Sequence, residues 1–92
     1  MQFDILEMAK RVFDVETKCI LEVKEQLDES FVRAIEILLA CEGKVVITGM
    51  GKSGIIAQKI AATMSSTGTV AIFLHPSEAA HGDLGMVQPN DV

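Results

Sequence analysis

The 92 residues suffice for one small domain or part of one, and with 49% hydrophobic and 23% charged residues they are typical of a folded chain. A formal charge of −5 without clustered Lys and Arg argues against DNA or RNA binding. The sequence contains no apolar run near the roughly 20 residues of a membrane span and no signal-peptide pattern, so we expect no membrane partner. Cys19 and Cys41 match no disulfide or metal motif, and we therefore expect free thiols in a cytoplasmic protein.

The first part of the chain predicts two helices. Apolar residues recur every seven positions from Leu6 to Leu27 with charged residues opposite, which predicts one long helix over about 3–27. Asp28 begins a polar interruption that can cap a second helix over about 30–42. The length of the first helix favours a role in oligomerisation, and a helix that simply covers its own sheet is the alternative.

A strand–helix–strand unit follows. A β-branched run predicts a strand over 44–48, and a second apolar strand is expected over 69–74. The helix between them is predicted over 53–66, with Ile56, Ile60 and Met64 on one face. The predicted fold class is therefore α/β, with two N-terminal helices followed by a right-handed parallel βαβ unit.

A glycine-rich turn joins the first strand to its helix. Gly49, Gly51 and Gly54 surround Lys52 and Ser53. Such a turn gathers backbone N–H groups and the positive end of a helix dipole, which suits an anionic group, most often phosphate. Ligands in parallel sheets lie beyond the carboxyl ends of the strands, so this turn should lie beside the segment that follows the second strand.

Three kinds of site compete for this turn. A P-loop would need glycine where the chain has Val46. A dinucleotide-binding site fits the spacing of the three glycines, but its acidic residue is missing at the tip of the second strand, where His75 stands. The third kind is a sugar-phosphate site.

The segment 75–85 carries the other chemistry. Two histidines and two carboxylates fall within nine residues, and Pro76 can start a short helical turn there. The histidines are six positions apart, which is not the spacing of a helical metal pair. The carboxylates could orient the imidazoles or could cap turns. These four residues are His75, Glu78, His81 and Asp83.

Three stretches together carry a family resemblance. Thr48–Gly54 (TGMGKSG), Ala61–Thr69 (AATMSSTGT) and His75–Val87 (HPSEAAHGDLGMV) closely resemble the sugar isomerase (SIS) domain of D-arabinose-5-phosphate isomerases. The two leading helices also fit that family. The resemblance implies that the chain is the N-terminal part of a three-layer, flavodoxin-like SIS domain. The turn residues Pro89 and Asn90 before Asp91 separately indicate the start of a third strand.

The resemblance also implies an activity. Members of this family interconvert D-arabinose 5-phosphate and D-ribulose 5-phosphate, which feeds the synthesis of Kdo for lipopolysaccharide. The implied mechanism passes through an enediol, needs no cofactor and works in a tetramer. The family's main phosphate loop and other catalytic groups are expected past Val92, so we expect this truncated chain to be inactive alone. A non-catalytic SIS regulator that binds a sugar phosphate is the alternative.

Residues of the glycine turn take roles from this resemblance. Lys52 matches the active-site lysine, which would neutralise developing negative charge or hold the anionic end of the substrate. Gly51 and Ser53 are assigned to substrate binding, although Ser53 could instead cap the helix, which is the simpler interpretation.

Four further residues are assigned in the same way. His81 matches a substrate-contacting histidine, and His75 matches one that can bind zinc, which could be inhibitory. Gly68 and Thr69 match a substrate-contacting pair. Their position at the start of the second strand should place them at the edge opposite the glycine turn, which suggests that they face the site of a neighbouring subunit.

Overall fold

The computed structural model describes residues 3–92, and the chain divides into two compact units, Met1–Arg33 and Ala34–Val92. None of the helices in this described range combines the length and hydropathy needed to cross a bilayer. The elements, in chain order, are α1 (Ile5–Gln26), α2 (Glu29–Leu39), β1 (Val45–Ile47), α3 (Gly51–Ser66), β2 (Ala71–Phe73), α4 (Pro76–Ala80) and a 3₁₀ turn (Asp83–Met86).

Helix α1 matches its prediction within two residues at each end. Its N-cap is Asp4, whose carboxylate accepts a hydrogen bond from the Glu7 backbone N–H at 3.0 Å. The apolar stripe of α1 is exposed, with Phe13 at 74% and Ile20 at 68%. An exposed stripe of this length on one helix is typical of an interaction surface.

Helix α2 begins as predicted and ends three residues early. The Asp28 carboxylate accepts from the Ser30 backbone N–H at 2.9 Å, and the hydrogen bond from the Ser30 hydroxyl is the main cause that lowers the pKa of Asp28. The helix ends at Leu39 rather than near residue 42 because the chain turns there towards β1, and the Cys41 thiol donates to the Lys44 carbonyl in that turn.

The sheet is parallel, as predicted, but its strands are shorter. Val45 pairs with Ala71 and Ile47 pairs with Phe73, so each strand has three paired residues. A parallel pair joined through α3 is a βαβ unit.

A third segment pairs with the other edge of β1. The Val92 N–H donates to the Lys44 carbonyl at 3.2 Å, and the Val46 N–H donates to the Val92 carbonyl at 2.7 Å. This alternation is the parallel ladder pattern, and it places β1 between β2 and Val92. Val92 thus bonds to β1 as the start of a third strand would, while the sheet described here has two strands, β1 and β2.

Helix α3 packs on the sheet through small residues rather than through its isoleucines. Ala57 and Ala61 are buried, and Ala61 joins Val45 and Ala71 in the core cluster. Ile56 and Ile60, which the hydrophobic spacing placed together on one face, are 57% and 45% exposed. The side of α3 that faces the sheet is therefore formed by small side chains.

Candidate functional site

The carboxyl ends of β1 and β2 are tied together. The Leu74 N–H donates to the Ile47 carbonyl at 2.9 Å, and the Thr48 hydroxyl donates back to the Leu74 carbonyl at 2.5 Å. The glycine turn after β1 and the segment after β2 therefore leave the sheet side by side at one edge. The carboxyl edge of the strands is where an open α/β sheet binds its ligands.

The glycines of the turn allow a close approach of backbone to backbone. A Cβ at Gly54 would lie 2.6 Å from the Gly49 carbonyl oxygen, too near for any side chain. Gly51 has φ +58°, in the left-handed region that favours glycine. These glycines therefore allow the start of α3 to lie directly against the end of β1.

Lys52 and Ser53 lie inside the first turn of α3, not in the loop before it. The helix begins at Gly51, two residues earlier than predicted, and its N-cap is Met50, which provides no side-chain cap. The capping interpretation of Ser53 is therefore wrong. The uncapped N–H groups of this turn carry partial positive charge, and Lys52 adds a full one.

Lys52 lines an open groove of about 420 Å³ on the flank of α3. Within residues 3–92 its amine has no carboxylate partner; the ion pair that this range contains joins Lys44 to Asp91. An exposed lysine beside free N–H groups attracts an anion. The groove is lined by Ile47, Thr48, Lys52, Ser53, Ile56, Ala57 and Ile60.

The two histidines bracket α4. Pro76 occupies the first turn, as predicted, and His75 is the N-cap, with its Nδ1 accepting from the Ser77 backbone N–H at 3.1 Å. The His75 ring also meets Phe73 edge-on, with centroids 6.2 Å apart. His81 ends the helix, and its Nδ1 lies 2.6 Å from the Ser77 carbonyl oxygen.

The carboxylates near the histidines do not orient them in the described structure. Hydrogen bonds to the two rings come from the backbone of Ser77, and none comes from Glu78 or Asp83 within residues 3–92. Glu78 lies in the first turn of α4, and Asp83 begins the 3₁₀ turn. Of the two roles left open for these carboxylates, the hydrogen bonds do not support the orienting one.

No three His, Cys, Asp or Glu side chains in the described part of the chain gather as a metal site. The Nδ1 of His75 is already engaged as the helix cap. These residues therefore form no complete zinc site by themselves, and the assignment of His75 to zinc stays a prediction.

Gly68 and Thr69 lie at the opposite edge of the sheet. The Val45 N–H donates to the Val70 carbonyl at 2.8 Å, which fixes the start of the second strand beside the start of the first. The pair lines a pocket of about 260 Å³ there, together with Cys41 and Gly43. The strand order predicted that this pair would lie away from Lys52, and the structure agrees. Their role in substrate binding stays a prediction.

Two supports of the site were not anticipated. The sequence predicts Thr48 only as the end of a strand, and no sequence pattern distinguishes its cross-strand bond. Asp91 accepts from the Lys44 amine at 2.6 Å, the Lys44 N–H at 2.9 Å and the Gln88 N–H at 2.7 Å. The acidic residue after the Pro89–Asn90 turn was the available signal.

A parallel βαβ unit with a glycine turn, a lysine and a histidine segment at its carboxyl edge defines the ligand-binding part of an α/β domain. The SIS domain family model matches residues 38–92, and the chain belongs to that family.

The chain is also similar to named proteins and to a solved structure. The arabinose 5-phosphate isomerase KdsD of Shigella flexneri is 52% identical over 90 residues, and that of Yersinia pestis is 49% identical over 89 residues. These matches cover 98% and 97% of the chain, which spans 27% of the length of each relative. A solved structure of the Escherichia coli CFT073 protein c3406 in complex with arabinose 5-phosphate superposes with a TM-score of 0.91 at 47% identity, covering the whole chain and 50% of that protein.

Proposed function

We propose that this chain belongs to an aldose–ketose isomerase that interconverts D-arabinose 5-phosphate and D-ribulose 5-phosphate through an enediol. One observation carries the proposal: Lys52 stands in the first turn of α3, at the carboxyl edge of the sheet, in a chain about half identical to proteins named arabinose 5-phosphate isomerase. A non-catalytic regulator and a dinucleotide-binding domain are not favoured by these relatives.

The chemistry asks for a base, a group that stabilises an oxyanion and an acid that opens the sugar ring. Lys52 supplies positive charge where the enediolate oxygen or the substrate's anionic end would lie. The N–H groups of Gly51 and Ser53 in the same turn of α3 would add hydrogen bonds to that anion. This charge is more useful to the transition state than to the neutral carbonyl because negative charge develops only as the proton leaves carbon.

His81 is proposed to contact the sugar from the neighbouring segment, and Gly68 and Thr69 to contact the substrate of an adjacent subunit. Their place at the opposite edge of the sheet supports that second assignment. Zinc at His75 would be inhibitory rather than catalytic, since it would occupy an imidazole beside the substrate.

The oligomeric state, compartment and pathway are part of the same proposal. We expect a homotetramer, supported by the exposed apolar stripe of α1. We expect the cytoplasm as the compartment, supported by the free thiols of Cys19 and Cys41. The product would feed Kdo and lipopolysaccharide synthesis. The 92 residues span 27% of the curated relatives, and we expect this stretch alone to be inactive.

The function is tested by ligand binding and turnover in the complete protein. Thermal denaturation with D-arabinose 5-phosphate should show stabilisation that NAD does not give. Stabilisation by NAD alone would contradict the proposal, and stabilisation by the sugar phosphate without turnover would identify a regulator.

A further inference from the structure

The backbone of Ser77 contacts both histidine rings of the site. Its N–H lies 3.1 Å from the Nδ1 of His75, and its carbonyl oxygen lies 2.6 Å from the Nδ1 of His81. A peptide N–H can only donate a hydrogen bond, and a peptide carbonyl can only accept one. The same atom of the two rings therefore meets opposite partners.

These partners fix where each neutral ring carries its proton. Nδ1 of His75 must be unprotonated in order to accept, so its proton is on Nε2. Nδ1 of His81 must be protonated in order to donate, so its Nε2 carries the free lone pair. A neutral imidazole has one donor and one acceptor nitrogen, and the bond made by one sets the role of the other.

We propose that the Ser77 backbone holds His75 and His81 in opposite tautomers, so that His81 presents an unprotonated Nε2 as a hydrogen-bond acceptor and His75 presents an Nε2–H donor. Both residues are exposed, and the ring hydrogen bonds found within residues 3–92 engage Nδ1 rather than Nε2. Ser77 is thus a positioning residue that acts through its main chain.

The role of these two tautomers in a reaction rests on the proposed function. An acceptor at His81 can take a hydrogen bond from a sugar hydroxyl, or the proton of that hydroxyl as it moves between substrate oxygens during isomerisation. The proton passes from the hydroxyl oxygen to Nε2 and later returns to the neighbouring oxygen, so the ring ends neutral. The donor at His75 can bond a sugar oxygen and cannot take that proton.

Heteronuclear NMR tests the tautomers without any turnover. At pH 8, where an ordinary imidazole is neutral, long-range ¹H–¹⁵N spectra of the complete protein distinguish protonated from unprotonated ring nitrogens. His75→Asn and His81→Asn assign the signals. We expect a protonated Nδ1 in His81 and a protonated Nε2 in His75. A protonated Nε2 in His81, or the same tautomer in both rings, would overturn the proposal.

Glu78→Gln is the matched control for the spectra. Its carboxylate bonds to neither ring, so both tautomers should be unchanged in this variant; a change in either would show that the carboxylate, not the backbone, sets them.

Steady-state kinetics of His81→Asn test the acceptor role, because the Asn amide can still donate to the Ser77 carbonyl but lacks Nε2. We expect its kcat to fall at least about 100-fold. An unchanged kcat would overturn the acceptor role, whereas inactive wild-type protein would refute the isomerase and leave the tautomer result standing.

Discussion

At the scale of single residues, Lys52 carries the proposed chemistry. Lys52→Ala should lower kcat about 100- to 1000-fold, since it removes the charge that stabilises the oxyanion. The side chain is exposed and makes no ion pair in the described range, so the melting temperature should barely change. Steady-state kinetics and thermal denaturation give the two readouts.

Lys59 offers the control for that substitution. It is exposed on α3 seven residues further along, about 10 Å from the first turn. Lys59→Ala should keep wild-type kcat. Equal losses in the two variants would mean that α3 responds to any lost lysine, and would remove Lys52 from the mechanism.

Gly54 is the residue on which the turn geometry depends. Gly54→Ala would press a methyl group against the Gly49 carbonyl, 2.6 Å away, and backbone on both sides leaves little room to move. We expect a loss of about 1–3 kcal/mol in the free energy of unfolding by denaturant. Gly85→Ala is the control because its Cβ would meet open space at an ordinary φ. Equal stability of the two variants would contradict the close approach.

At the scale of elements, Asp91 joins the turn before the third segment to the start of β1. The hydrogen bond from Lys44 is the main cause that lowers the pKa of Asp91 to about 2, below its usual 3.8. A lowered pKa stabilises the folded state above about pH 4, and this stability is lost as the pH falls towards 2. Asp91→Asn should therefore lose less stability than wild type between these values.

Denaturant unfolding at several pH values measures that difference. Asp14→Asn is the control, since Asp14 lies exposed on α1 and its carboxylate makes no hydrogen bond in the described structure. Its pH dependence should match that of wild type. If the free energy of unfolding of Asp91→Asn falls with pH below 4 as steeply as that of wild type, the Lys44–Asp91 pair does not stabilise the fold.

The elements also show what the sequence could predict. Periodicity identified the three long helices and both strands because their apolar patterns are strong. It misplaced the start of α3, because φ and backbone approach at Gly51 and Gly54, not hydrophobicity, decide where that helix begins. It grouped Ile56 with Ile60 on one face but did not show that the smaller Ala57 is the buried residue. The hydrogen bonds between Ser77 and the histidines use main-chain atoms, so no residue type at that position predicts them.

At the scale of the whole molecule, the exposed stripe of α1 is the subunit interface of the proposed homotetramer. Its exposed stripe includes Phe13, and burial of such a side chain contributes about 1.5–3 kcal/mol. Phe13→Ser should therefore weaken a homotetramer at least tenfold in analytical ultracentrifugation, whereas Asp14→Ser on the polar face should not. A monomeric wild type, or equal weakening in both variants, would show that this stripe is not a subunit interface.

The isomerase proposal itself is tested most directly by following D-arabinose 5-phosphate with the complete protein by ¹H NMR. We predict that D-ribulose 5-phosphate forms until the two sugars reach equilibrium, from either side, and that Lys52→Ala slows its formation at least about 100-fold. Wild-type protein that is stabilised by D-arabinose 5-phosphate but forms no ketose would contradict this account.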